Sequence, residues 1–100
     1  MNPPIARCKT LSELSDYLAF LVLYAPDDFP AWRDLTLESA FAQLLVDIDA
    51  CASLVGSEQR LKELKEYAAS ANRSYKSGDP VNGAHALQDA IQSLKRNHSP

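Results

Sequence analysis

A chain of 100 residues with 46% apolar and 23% charged side chains has room for one domain and one modest core, and argues against wholesale disorder. A formal charge of −3 argues against a nucleic-acid binder, which needs a basic footprint. Only three glycines, among abundant Ala, Leu, Lys and Glu, point away from a turn-rich β protein and towards helices.

Residues 1–9 (MNPPIARCK) contain Pro3 and Pro4 and show no period, so they read as a loose arm. Thr10 opens the first helix, expected over about 11–25. Its hydroxyl suits the Glu13 amide, and the Glu13 side chain can reach back, as in a capping box. Leu11, Leu14, Leu18, Leu21 and Ala25 share a stripe, with Tyr17, Phe20 and Tyr24 beside it, and Pro26 ends the helix. The longest apolar run, Leu18–Ala25, is eight residues, against about twenty for a membrane span. Glu13 and Asp16 precede it where a signal peptide carries bases. The expectation is a soluble, cytoplasmic protein in which Cys8 and Cys51 stay reduced.

Residues 26–35 (PDDFPAWRDL) form the one long connection. Pro26 and Pro30 stiffen it, Phe29 and Trp32 offer apolar surface, and Asp27, Asp28 and Asp34 make it acidic. Two readings stand: aromatics folded over the core as a lid, or a rigid aromatic-and-acid contact surface.

The central helix is expected over 36–55, with Thr36 at its start and Gly56 at its stop. Leu37, Phe41, Leu44, Ile48, Cys51 and Val55 stack on one side, and Ala40, Leu45, Ala52 and Leu54 widen the stripe enough to meet more than one neighbour. Glu38, Asp47 and Asp49 are placed on its outer side. Ser57 caps the third helix, 58–77, whose stripe is Leu61, Leu64, Ala68, Ala71 and Tyr75. Glu58 with Lys62, and Lys62 with Glu66, stand four apart on its solvated side. Gly78 ends it. Asp79-Pro80 opens the last helix, 80–96, lined by Val81, Ala84, Leu87, Ile91 and Leu94. The small residues Ala68, Ala69, Ala71, Gly83, Ala84 and Ala86 suggest a close approach of these last two helices. The whole reads as an all-α fold: a single-domain antiparallel four-helix bundle.

No chemistry-bearing set emerges. His85 lies off its helix's apolar stripe, His98 is in the tail, and neither is spaced from a cysteine like a metal ligand. No phosphate-binding glycine pattern or nucleophile elbow occurs. Cys51 continues an apolar stripe and reads as an inert thiol. The expectation is therefore no enzyme, with no catalytic, cofactor-binding or metal site.

Charge is unevenly distributed. Residues 1–56 carry eight acids against three bases, and residues 57–100 five acids against seven bases. Charge runs are commonly just solvated faces; the alternative is a patch that steers a basic partner. On that alternative the candidate partner-binding residues are Asp27, Asp28, Trp32, Asp34, Glu38, Asp47 and Asp49.

Phe29-Pro30-x-Trp32 followed by Leu37-x-x-Ala40-Phe41-x-x-Leu44, and Tyr75-x-x-Gly78-Asp79 followed by Gly83 and Leu87-Gln88-Asp89, carry a resemblance. Over roughly residues 26–96 the chain resembles the small helical immunity proteins that bacteria pair with toxins of contact-dependent inhibition and related systems. The resemblance implies a cytoplasmic toxin inhibitor that binds one cognate toxin domain. Many such toxins are nucleases with a basic groove, which an acidic surface would fit. Residues 68–91 also resemble half of a tetratricopeptide hairpin, with Gly78 at the turn and Gly83 and Ala90 seven apart, although Lys95 stands where a proline is expected. That gives a peptide-binding adaptor as the alternative. A third reading is an oligomeric helical regulator that associates through Phe20, Val22 and Tyr24.

Overall fold

Five α-helices occupy the described residues, which are 7–25, 29–30 and 35–97 of the computed structural model. They are α1 (Leu11–Tyr24), α2 (Leu37–Ala50), the single turn α3 (Ala52–Val55), α4 (Glu58–Lys76) and α5 (Pro80–Asn97), with no strand among the described residues.

The starts of the four long helices follow from local chemistry. The Thr10 hydroxyl accepts the Glu13 amide at 3.1 Å. The Glu13 carboxylate accepts the Lys9 amide at 2.9 Å rather than closing back onto the Thr10 amide. Thr36 caps α2 in a reciprocal box with Ser39. Ser57 accepts the Arg60 amide, and Asp79 the Asn82 amide. Each such cap contributes about 1 kcal/mol. Gly56 and Gly78 end their helices with φ of 82° and 84°, the left-handed region that side chains with a Cβ resist.

The four long helices close a ring in the order α1, α2, α4, α5, each packed on two neighbours. Contacts fix the directions. Phe41 meets Tyr75 and Asp49 meets Lys65, so numbers rise along α2 as they fall along α4. Tyr17 donates its hydroxyl proton to the Ala40 carbonyl at 2.8 Å while Cys51 reaches the Thr10 carbonyl, so α1 and α2 are also antiparallel. Leu11 and Ser12 share a cleft with Leu94 and Lys95, and α4 and α5 form a hairpin. Every neighbouring pair is antiparallel.

The core is a single cluster that draws on all five helices, centred on Leu14, Leu18, Leu21, Leu44, Ile48, Leu64, Leu87 and Leu94. Burying one such leucine contributes about 1.5–3 kcal/mol. Phe20 and Phe29 pack against this cluster with ring centroids 6.0 Å apart, so Phe29 acts as a lid. Val22 packs against it as well, and the Tyr24 ring lies 4.9 Å from that of Phe20.

Three expectations need correction. The central helix does not run unbroken to Val55: it ends at Ala50, and Cys51 takes φ −96° and ψ 9° before the short α3. The Cys51 amide is shared between the Asp47 and Ile48 carbonyls, and its thiol is aimed at the N-terminal segment. Leu45 and Leu54 do not widen the buried stripe; they are 43% and 50% exposed. Along α5 the buried line is Gly83, Leu87, Ala90 and Leu94, with Val81 63% exposed. The reason is Gly83. A Cβ there would meet the Tyr75 ring at 2.8 Å, so α4 and α5 approach closely through this glycine, and the glycine edge faces inward. No described helix is long and apolar enough to cross a membrane.

Candidate interaction surface

Asp27, Asp28, Trp32 and Asp34 lie outside the described residues. The three α2 acids separate into two environments. Glu38 is exposed in the first turn of α2, where the helix dipole favours a negative charge. Asp49 is exposed and accepts an ion pair from Lys65 at 2.6 Å. Among the described residues this is the ion pair formed, across two helices instead of along α4.

Asp47 is not on the outer side. It is 1% exposed, and its carboxylate is occupied inside the molecule. Oδ1 accepts the Arg7 amide at 2.6 Å and the Cys8 amide at 3.1 Å, and Oδ2 accepts Gln43 Nε2 at 3.1 Å. Charge-assisted bonds of this kind are the stronger ones, and a buried carboxylate needs them. One turn further, the Cys51 thiol donates towards the Cys8 and Thr10 carbonyls at 3.6 and 3.8 Å. Residues 7–10 are thereby strapped across α2, and Cys8 is buried, where the sequence suggested a loose arm. Asp47 therefore belongs to the fold and is removed from the contact surface. A signal was present in the spacing. Ala40, Leu44, Asp47 and Cys51 follow steps of four, three and four, so Asp47 occupies a core position despite its charge.

The strap also governs the thiols. Burial first, then the Asp47 carboxylate, pushes the Cys8 thiol from an ordinary 9.0 up to about 12. Burial likewise raises Cys51. Both thiols are free and stay protonated near neutral pH, the opposite of an activated nucleophile. His85 is exposed, and among the described residues no three His, Cys, Asp or Glu side chains gather as a metal set.

What α2 presents outward is Glu38, Ala42, Leu45 and Asp49, all exposed and within about 60° of arc on a helix of about 3.6 residues per turn. Leu45 also borders a shallow groove of about 210 Å³ against α4, lined by Phe41, Ala68, Ala69, Asn72 and Arg73. The α2 flank is thus two carboxylates around an exposed leucine, with no base on α2 itself. Across the groove the exposed edge of α4 carries Lys62, Lys65, Ala69, Arg73 and Lys76. The sequence located two of the acids correctly on the surface but missed Leu45, because an apolar residue beside an apolar stripe reads as core. No protein-family model, curated protein or solved structure matches this chain.

Proposed function

We propose that the protein is a non-catalytic, cytoplasmic immunity protein that binds and neutralises a cognate bacterial toxin domain. On this reading the contact residues are Glu38 and Asp49 of α2 together with Asp27, Asp28, Trp32 and Asp34, which lie outside the described residues. The observation that carries the reading is the outward stripe of α2, an exposed leucine between two carboxylates. An exposed apolar anchor flanked by carboxylates along its helix suits a docking surface more than a solvated face. Acids placed so would steer a basic groove, such as that of a nuclease, and hold its register. The resemblance to immunity proteins supplies the class of partner, and the buried, protonated thiols offer no competing chemistry.

The test is calorimetric titration of the purified chain with the C-terminal domain of the toxin encoded by the adjoining gene. Reversing Asp27, Asp28 and Asp34 to lysine should weaken binding at least tenfold, about 1.4 kcal/mol, and flatten its dependence on salt. Unchanged affinity would remove the acidic flank from the reading. Absence of any binding, together with the lack of a toxin gene alongside, would remove the immunity function itself.

A further inference from the structure

The face shared by α2 and α4 is complementary to itself. One long row, on α2, holds Glu38 and Asp49; the other, on α4, holds Lys62, Lys65, Arg73 and Lys76. Between the rows lies Leu45, 43% exposed beside the groove, with Ala69 exposed opposite it and Ala68 buried beneath. The two helices are antiparallel, and the Asp49–Lys65 pair fixes their register. Asp49 therefore stands level with Lys65, and Glu38 level with Arg73 and Lys76. Glu58 and Glu66 are also exposed on α4, the first in its opening turn beyond the end of α2, the second level with Ile48 but turned to the side of Lys62 away from α2.

A two-fold axis lying in this face has two simple orientations. Perpendicular to the helices, it sets acid row on acid row and base row on base row. Parallel to the helices, it lays α2 of one copy along α4 of the other and keeps every level unchanged. Asp49 then faces Lys65 of the second copy, Glu38 faces Arg73 and Lys76, and the two Leu45 side chains meet on the axis above Ala69. The short side chain of Ala69 leaves room for the two leucines. An isologous contact requires this property, that each patch fits its own rotated image.

From this charge pattern and exposed leucine we infer that the α2/α4 face is a homodimer interface, occupied by a second copy of this chain about a two-fold axis parallel to the helices. The inference does not rest on the immunity reading, since it needs no other partner; both occupants would use Glu38, Leu45 and Asp49, so the dimer must open before a toxin domain docks there. The area is small and the rim charged, so the dimer is weak and salt-sensitive.

Sedimentation of the wild-type chain tests it, from about 10 μM to about 1 mM, the range in which a small interface fills. The expected result is a mass rising with concentration from 11.0 kDa towards twice that value, and falling back when salt is added. Leu45→Lys should remain monomeric, with circular dichroism unchanged because the side chain is already half exposed. Charge exchange gives the sharper result. A chain carrying Glu38→Lys and Asp49→Lys has two basic rows, and one carrying Lys65→Glu and Arg73→Glu has two acidic rows. Each alone should be monomeric, and an equimolar mixture should form a heterodimer. A wild-type chain that stays monomeric throughout overturns the inference. So does a dimer that survives Leu45→Lys, or variants that fail to pair when mixed while remaining folded.

Discussion

Truncating Asp47 to alanine tests the strap. The Cys8 amide and Gln43 Nε2 are buried donors that lose their acceptor in Asp47→Ala, while the Arg7 amide is partly exposed and can turn to water. A buried donor left unsatisfied costs about 1–3 kcal/mol, and the stranded Cys8 amide together with the lost charge-assisted bond from Gln43 gives about 2–4 kcal/mol once the strap relaxes. That is a large part of the roughly 5–15 kcal/mol that holds a domain of this size together. The corresponding fall in Tm is on the order of 10–20 °C. Asp47→Asn keeps an acceptor for the two backbone amides, and Gln43 can turn its own carbonyl towards the new amide, so it should recover about half of the loss. Urea unfolding measures the energies. The rate at which a thiol reagent modifies Cys8 and Cys51 reports whether residues 7–10 have lifted. If Asp47→Ala lies within about 0.5 kcal/mol of wild type and the thiols react no faster, the carboxylate is not what holds the segment down.

Two further outcomes follow from buried groups. The Tyr75 hydroxyl is buried with no hydrogen-bond partner, so Tyr75→Phe should be neutral or stabilising by up to about 1 kcal/mol, whereas Gly83→Ala should destabilise by about 1–3 kcal/mol through contact with the same ring. Thermal melts of both variants check the pair, and a destabilised Tyr75→Phe would show that the hydroxyl has a partner. Cys8 makes stability depend on alkaline pH. Its folded value of about 12 exceeds its ordinary 9.0, so its contribution is complete below pH 9 and is lost as the pH rises towards 12. Cys8→Ala should flatten the part of the alkaline unfolding curve that lies in this window, and an unaltered curve would assign the slope to other groups.

The helices were legible because their caps and stops are local. Thr10, Thr36, Ser57, Asp79, Gly56 and Gly78 act within a few residues of where they stand. The stripes of α1, α2 and α4 followed from spacing alone, as with Leu14, Leu44 and Leu64. What escaped was set by partners far along the chain. A carboxylate is usually solvated, and it takes the amides of Arg7 and Cys8, with Gln43, to make the burial of Asp47 tolerable. Val81 was placed inside because α5 has apolar residues on two sides; Tyr75 against Gly83 decides which side turns inward. Leu45 was placed in the core since nothing near it in sequence shows that its edge of α2 borders a groove.

The strap has a kinetic meaning as well. Its bonds join residues about forty positions apart, whereas α4 and α5 are separated by a turn of three residues, Ser77–Asp79. Closing a long loop costs chain entropy before any of those bonds can form, and a tight hairpin escapes most of that penalty. The Tyr75–Gly83 hairpin is therefore the natural nucleus, and the docking of Cys8 beneath Asp47 follows it.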